Sequence, residues 1–335
     1  MTRVVMVTGV SRDAGARCAR ALAADPAIEN VIGVDVVPPR ADLGGVRFVR
    51  ADIRNPVIAK VIAADDVDTV VHTGVVATPG SAGGRSSMKE INVIGTMQLL
   101  AACQKAPGVA KLVVKSTTTV YGAGPRDPAM FTEEMAPRAS SQGGLGKDAV
   151  EVEGYVRGFA RRRPDVVVTT LRMANWIGPL IDSPVTRYFA MPVIPTVLGF
   201  DARMQFLHED DGVAAIRHAS VHDVPGTFNI AGDGVLSLSQ AIRRLGRPAL
   251  LFPSFTAGTA AMLVRRARMA DFSNDQIAFL TYGRAVDTTR MRSELGFEPS
   301  YTTAEAFADF AAVQRTGAVT AAGRLVSAGL EMVRR

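Results

Sequence analysis

Cysteine and long apolar runs are both scarce in this chain of 335 residues. The two cysteines, Cys18 and Cys103, allow one disulfide at most, so neither a disulfide scaffold nor a cysteine-based metal site is expected. Each lies in an apolar, helix-like stretch, which favours reduced, packed thiols and a cytoplasmic protein. No run of about 20 apolar residues occurs, so no membrane-spanning helix is expected, and residues 1–8 show no secretory pattern.

A strong charge of one sign is also missing. Lys and Arg number 38 and Asp and Glu number 32, which leaves a net charge of +6. A surplus this small is compatible with an anionic small molecule as well as with nucleic acid. The arginine clusters at 161–163 and 265–268 lie on separate predicted helices. We interpret them as solvated helix ends and expect no nucleic-acid partner.

One further basic segment, residues 257–269, mixes Met, Leu and Val with arginine. Such a segment is compatible with a helix on a membrane surface. We favour a helix of a small lobe whose arginine stems cover apolar surface, and we expect no membrane-surface partner. The composition as a whole, 47% hydrophobic and 21% charged, is that of an ordinary globular protein.

The first half of the chain alternates between short β-branched runs and helix-like segments. The predicted strands are 4–7, 31–34, 47–49, 69–72, 111–115 and 166–171, and the predicted helices are 14–24, 57–64, 88–105 and 149–161. This alternation indicates βαβ units and an α/β fold, a doubly wound parallel sheet of the Rossmann-like type. The ligand crevice of such a sheet lies at the carboxyl ends of its strands.

After about residue 172 prolines become frequent and the predicted elements shorten. We predict a dinucleotide-binding domain over 1–175, with 204–232 returning to it. Residues 176–203 and 233–335 then form a smaller C-terminal substrate lobe over the ligand edge of the sheet.

The strongest motif is the turn after the first strand. Gly9 lets the chain turn tightly, and Gly15 lets the following helix pack close to the strand. The N-terminus of that helix offers free N–H groups to a pyrophosphate. Asp35 follows twenty residues after Gly15 at the end of the second strand. A carboxylate there accepts hydrogen bonds from the adenosine ribose and repels a 2′-phosphate, so NAD is favoured over NADP.

Nine landmarks, in order, resemble the extended short-chain dehydrogenase/reductases of the NAD-dependent epimerase/dehydratase family, and most closely its UDP-glucose 4-epimerase-like members. The matching stretches are Thr8-Gly9 with Gly15, Asp52-Ile53, His72-Thr73-Gly74, Asn92–Thr96, Ser116–Gly122, Leu171–Asn175 with Gly178-Pro179, Phe206–Asp211, Thr227–Ile230 and Glu294–Pro299.

This resemblance implies a nicotinamide cofactor and assigns residues to it. The implied cofactor-binding residues are Gly9, Ser11, Arg12, Asp13, Gly15, Asp35, Asp52, Ile53, His72, Thr73, Gly74, Asn92 and Lys147. The implied substrate-binding residues are Thr117, Thr118 and Asn175. Thr117, which would polarise the reacting oxygen, and Lys147, which would orient the nicotinamide ribose, are the implied catalytic residues. No metal is implied.

The chain departs from the family pattern at Arg12, which takes the place of the middle glycine of the turn. Its side chain is compatible with crowding the pyrophosphate, with pairing to a phosphate, or with recognising a 2′-phosphate. The third option conflicts with Asp35, which we weigh more heavily because the ribose geometry sets its role.

A second departure affects catalysis. Aligning Lys147 and Glu151 with the family's lysine and glutamate puts Gly143 where the general acid/base tyrosine belongs. Losing a positioned acid/base costs about 10²–10⁴-fold in rate. Tyr155 lies about 12 Å further along the helix, and Tyr121 matches a different tyrosine of the family. No replacement proton acceptor is assigned.

Two functions follow. The first is hydride transfer between NAD and a nucleotide-sugar or similar hydroxyl metabolite; the second is a catalytically degenerate NAD- or nucleotide-sugar-binding sensor or scaffold. The resemblance also implies a homodimer formed by helices 88–105 and 149–161.

Overall fold

The computed structural model describes residues 3–74, 82–138, 144–253 and 274–315. Its strands are β1 (Arg3–Thr8), β2 (Ile28–Asp35), β3 (Arg47–Arg50), β4 (Thr69–His72), β5 (Lys111–Thr117), β6 (Val167–Met173), β7 (Asn175–Ile177), β8 (Ile194–Val197), β9 (Arg203–Met204), β10 (Phe206–His208), β11 (Gly226–Ile230), β12 (Leu236–Ser237), β13 (Ala249–Phe252) and β14 (Gly283–Arg284).

The described helices lie between some of these strands and after the last of them. They are α1 (Asp13–Ala23), α2 (Val57–Ala64), α3 (Arg85–Lys89), α4 (Gly95–Lys105), α5 (Leu145–Arg162), α6 (Pro184–Phe189), α7 (Glu209–Val221), α8 (Leu238–Leu245), α9 (Asn274–Tyr282), α10 (Thr289–Ser293) and α11, which is described over 303–315. A π-helical turn, Glu90–Ile94, joins α3 to α4.

Seven of the strands form one parallel sheet in the order β11-β6-β5-β4-β1-β2-β3. The central strands are apolar on both faces because helices cover both sides; β4, for example, is buried at each of its four positions. The predicted doubly wound, Rossmann-like fold is therefore confirmed. Reversal of strand order between β1 and β4 opens the ligand crevice at their carboxyl ends.

The two faces of the sheet carry separate apolar cores. One core packs α1 and α7 against the sheet and contains Cys18; the other packs α2, α4 and α5 and contains Cys103. Both thiols are free, and burial raises the pKa of each to about 12. Because the sheet lies between them, they cannot form a disulfide.

A third apolar core belongs to the C-terminal half. Phe189, Phe206 and Phe307 meet edge to face or stacked within it, with centroids 5.0–6.2 Å apart. Strand β11 leaves this half and pairs with β6 in the main sheet. The basic segment 257–269 lies outside the described residues. Across the part that is described, no helix is long and apolar enough to cross a bilayer.

Candidate functional site

The turn after β1 has the close backbone packing that the sequence predicts. Gly9 adopts φ +85°, and a Cβ there would lie 2.7 Å from the Gly74 Cα atom. A Cβ on Gly15 would clash with the carbonyl oxygen of Gly9. No side chain caps the N-terminus of α1, so its first N–H groups face the crevice without a side-chain acceptor. This is the geometry that receives a pyrophosphate.

Asp35 is tied to the same turn. Its Oδ2 atom accepts from the Ser11 backbone N–H at 3.0 Å and from the Ser11 hydroxyl at 2.6 Å. Its Oδ1 atom accepts from Val36 N–H at 2.7 Å. The carboxylate is half-buried at the end of β2. A carboxylate held by three hydrogen bonds therefore lies at the end of β2, the position at which Rossmann-type folds bind the adenosine ribose.

Arg12 spans the crevice from α1 to the turn after β4. Its guanidinium donates to the Gly74 carbonyl at 2.9 Å. Burial lowers the pKa of Arg12, and the Asp35 carboxylate opposes that shift. The group nevertheless remains a cation at neutral pH. The next residue, Asp13, is the first of α1 and is exposed. Its carboxylate lies 3.8 Å from the Arg17 guanidinium.

The residues after β4 build the floor of the crevice. The His72 ring bonds the hydroxyls of Thr8 at 2.7 Å and Thr96 at 2.9 Å. Thr73 donates to the Thr8 carbonyl at 2.6 Å. Burial, aided by the Arg12 charge, lowers the pKa of His72 to about 4. His72 is therefore neutral at pH 7, and its side chain joins β1, β4 and α4.

Asp52 and Ile53 lie at the adenine end predicted for the crevice. Arg54 binds the Asp52 carboxylate at 2.7 Å, and this hydrogen bond holds the pKa of Asp52 below its usual range. Ile53 packs against Gly95, where a Cβ would lie 2.9 Å from its Cδ1 atom. The predicted contact of Asp52 with an adenine amino group remains a prediction.

Asn92 sits in the π-helical turn that precedes α4 and is buried. Its amide donates at 3.2 Å to Asp148 of α5, whose carboxylate is completely buried. Arg85 binds both oxygens of Asp148 at 2.6 Å. Single π-helical turns are frequent at functional sites, and here the turn aims Asn92 at α5.

Lys147, the predicted ribose-binding lysine, is exposed on α5. Its neighbour Asp148 faces the interior instead. Of the two glutamates that follow, Glu151 lies 3.4 Å from Lys89 near the surface, whereas Glu153 is buried. Gly143, the predicted tyrosine position, lies outside the described residues. The exposure of Lys147 on the surface does not support its catalytic assignment. That assignment remains a prediction.

Glu153 belongs to a buried network below the end of β5. It binds Arg172 at 2.7 Å and accepts from Ser116 at 2.6 Å. Arg172 also donates at 2.8 Å to the Tyr121 hydroxyl, which donates at 2.8 Å to the Asn229 side chain. Burial raises the pKa of Tyr121. This tyrosine is therefore a structural group with its hydroxyl fully engaged.

Thr117 and Thr118 mark the carboxyl end of β5. Thr117 is half-buried, and its hydroxyl accepts from Thr119 N–H at 3.2 Å and lies 3.0 Å from the Thr119 hydroxyl. Thr118 is buried, and its hydroxyl accepts from Arg284 at 3.3 Å. Asn175 is half-buried in β7, beside β10. Of the two threonines, Thr117 is therefore the one that is partly exposed at the end of β5.

Two cations near this strand end were missed by sequence reasoning. Lys115 precedes Thr117 on the same face of β5, and its ammonium lies 5.2 Å from the centroid of the Trp176 ring. Burial, together with Arg12, lowers its pKa. Arg284 comes from the C-terminal half. Lys115 could have been found from the sequence, because a lysine interrupts an otherwise apolar strand pattern there. Arg284 could not, because the sequence does not indicate that β14 approaches the end of β5.

A parallel sheet with a glycine turn after its first strand and an aspartate at the end of its second defines a dinucleotide-binding α/β protein. The chain belongs to the NAD-dependent epimerase/dehydratase family, whose model matches residues 5–231. An uncharacterised protein of Mycobacterium tuberculosis is 49% identical over 312 residues, which are 92% of this chain and 83% of that protein.

Solved structures with the same fold include nucleotide-sugar enzymes. A UDP-glucose 4-epimerase of Thermotoga maritima, determined with UDP-glucose, has a TM-score of 0.72 and 19% identity, covering 94% of this chain and 99% of its own. A UDP-glucose 4-epimerase of Stenotrophomonas maltophila, with NAD and formylated UDP-arabinopyranose, has a TM-score of 0.74 and 20% identity, covering 96% and 100%. At these identities the likeness establishes the fold.

Proposed function

We propose that this protein binds NAD and acts on a nucleotide-sugar or similar hydroxyl-bearing metabolite by hydride transfer. NAD binding is supported by the turn after β1, in which Ser11 is hydrogen-bonded to Asp35 beside the N-terminus of α1, which has no side-chain cap. Family membership and the nucleotide-sugar ligands of the structural neighbours support the substrate class.

Among nicotinamide cofactors we favour NAD over NADP. The Asp35 carboxylate repels a 2′-phosphate at the adenosine ribose. The Arg12 guanidinium is bound to the Gly74 carbonyl after β4, and Arg12 itself immediately precedes α1. That position favours pairing with the pyrophosphate, which both cofactors carry, over recognition of a 2′-phosphate.

In this proposal Thr117 meets the reacting oxygen and Asn175 contacts the substrate diphosphate. The nicotinamide cofactor, when bound, accepts or returns the hydride. Thr117 supplies a hydroxyl at the carboxyl end of β5, next to the crevice. No residue is assigned to take the substrate proton.

The second candidate, a binding protein without turnover, is favoured by the burial pattern of α5. The family places a glutamate four residues after its catalytic lysine. Counting back from the buried Glu153 instead of Glu151 puts Ala149 at the lysine position and Leu145 at the tyrosine position. Neither side chain has an acidic or basic group that exchanges a proton with a substrate. This alignment also leaves Lys147 on the surface.

Single-turnover mixing of enzyme, NAD and a panel of UDP-sugars distinguishes the two candidates. Growth of NADH absorbance with the wild-type protein establishes hydride transfer. Saturable binding of NAD and a UDP-sugar with neither NADH nor an altered sugar establishes the binding protein. In that case the double variant Leu145→Tyr/Ala149→Lys is expected to gain NADH formation, with Arg161→Ala, at an exposed position of α5, as the matched surface control. A cytoplasmic location and a homodimer remain predictions.

A further inference from the structure

The C-terminal half places a buried cation against the hydroxyls of the turn that follows β5. Arg284, in β14, is 6% exposed. Its guanidinium donates to the Gly122 carbonyl at 2.7 Å and to the hydroxyls of Thr118 and Thr119 at 3.3 Å each. Among the residues that the structure describes, no carboxylate lies within 4.0 Å of it. Every direct acceptor of this cation is therefore neutral.

A buried cation without an ion-pair partner is costly, and such groups cluster at functional sites. The Phe279 ring covers the guanidinium at 5.1 Å. Burial lowers the pKa of Arg284 to about 10, and the more distant Asp275 and Asp127 carboxylates oppose the shift. Arg284 stays charged at neutral pH, so a positive charge is fixed beside the end of β5.

The chemistry of these donors allows a hydroxyl chain that runs from Arg284 through Thr119 to Thr117. A guanidinium only donates hydrogen bonds, so Thr119 Oγ1 accepts from Arg284. The Thr119 hydroxyl then has its own proton to donate, and the Thr117 Oγ1 atom lies 3.0 Å away. Thr117 Oγ1 accepts from Thr119 N–H as well. When Thr119 is the donor in this contact, Thr117 Oγ1 accepts both bonds and its own proton is free to point into the crevice.

We propose that Arg284 is a positioning residue that orders this chain, so that Thr117 donates its O–H to a carbonyl or alkoxide oxygen of the substrate. The inference rests on the proposed hydride transfer for the identity of that oxygen. A donor aimed at a developing alkoxide stabilises the transition state in which the oxygen gains negative charge. No proton leaves Thr117 in this role; it acts as a hydrogen-bond donor throughout.

This arrangement brings a positive charge toward the reacting oxygen through two hydroxyls. In the family pattern a lysine beside the tyrosine supplies such a charge, and α5 offers none on its buried face here. Cooperative polarisation along a chain of hydrogen bonds strengthens the terminal donor. Arg284 and Thr119 together therefore tune Thr117 without touching the substrate.

Neutron diffraction from deuterium-exchanged crystals of the full chain, with no ligand added, tests the proposal. We expect the Thr119 deuterium on the line to Thr117 Oγ1 and the Thr117 deuterium directed into the crevice. In Arg284→Met we expect the Thr117 deuterium to be distributed over more than one direction. Arg247→Met is the control, because Arg247 also donates to backbone carbonyls, at 2.8 and 2.6 Å, but lies in the C-terminal core.

A wild-type map in which Thr117 donates to Thr119 overturns the proposal, as does unchanged order in Arg284→Met. If that variant does not fold, the wild-type map still decides the direction. Single-turnover NADH formation with UDP-glucose gives a second readout. Thr119→Val should slow it about tenfold with unchanged UDP-glucose affinity, and Thr119→Ser should restore it. Absence of NADH from the wild type counts against the proposed function and leaves the neutron result standing.

Discussion

At the scale of single residues, Asp35 and Arg12 set opposite charges on the rim of the dinucleotide crevice. Asp35 is anchored by Ser11 at the end of β2, and Arg12 is anchored by the Gly74 carbonyl after β4. In the proposed complex the negative group meets the adenosine ribose and the positive group meets the pyrophosphate. We therefore expect both side chains to contribute to NAD affinity and Asp35 to set the discrimination against NADP.

Asp35→Asn is expected to weaken NAD binding about tenfold and to narrow the preference for NAD over NADP. A charged acceptor for the ribose hydroxyls contributes about 1.5–3 kcal/mol, and its charge also repels a 2′-phosphate. Isothermal titration calorimetry with both cofactors measures the effect. Asp42→Asn, at an exposed aspartate, is the control. An unchanged ratio of the two affinities contradicts the role given to Asp35.

Arg12→Gly restores the family's glycine and is expected to weaken NAD binding about tenfold, because a charge-assisted bond to the pyrophosphate is lost. The dependence of NAD affinity on salt should weaken with it, since one fewer cation takes part. Titrations at low and high salt provide the measurement. Tighter NAD binding by the variant would show that Arg12 crowds the pyrophosphate; selective loss of NADP would show that it recognises a 2′-phosphate.

At the scale of secondary-structure elements, α5 decides how the strand ends are supported. Its buried face carries Asp148 and Glu153, which hold Arg85 and Arg172 respectively. The pair of Glu153 and Arg172 is also hydrogen-bonded to Tyr121 and to Ser116. A single network therefore connects α5 with β5 and β6. Such a network is stable only when all its members have partners.

Tyr121→Phe tests this network. The variant removes a hydroxyl that accepts from Arg172 and donates to Asn229, and it leaves both partners buried. The free energy of unfolding should fall by about 1–3 kcal/mol. Chemical denaturation measures the change. Tyr155→Phe, at an exposed tyrosine of α5, should stay within about 0.5 kcal/mol of wild type. Equal stability of both variants is incompatible with a structural role for Tyr121.

Much of the secondary structure can be predicted from local sequence. The β-branched runs and the helical spacing between them predict β1, β2, β4, β5 and β6 to within a few residues, because propensity and burial agree there. The orientation of α5 is not readable in the same way. Lys147 and Asp148 are both polar, and only tertiary contacts with Arg85 and Asn92 determine which one turns inward.

At the scale of the whole molecule, stability should depend on pH through His72. Its pKa of about 4 in the folded protein lies below the value of 6.5 of an unperturbed histidine. Between these values the unfolded chain binds more protons, so stability present above pH 6.5 is lost as the pH falls toward 4. The loss from this group is about 3 kcal/mol.

Denaturant titrations between pH 4 and 7 measure this dependence for the wild type and for His72→Gln. The variant cannot titrate, so its stability should change less steeply over that interval whatever its absolute value. Identical slopes would mean that His72 is not held neutral by burial.

The approach of the C-terminal half to the sheet is the other feature that the sequence does not predict. Arg284 reaches Thr119 across 165 residues of chain. No periodicity or motif encodes a contact of that separation. The glycine turn is predictable because all its parts lie within one βαβ unit, whereas the surroundings of Thr117 come from β5 and β14.

Calorimetric titration of the wild-type protein with NAD tests directly whether the turn after β1 holds an adenine dinucleotide. We expect saturable binding at one site per chain, tighter for NAD than for NADP and weakened by Asp35→Asn. Absence of heat with either cofactor, or NAD binding that Asp35→Asn leaves unchanged, would contradict it.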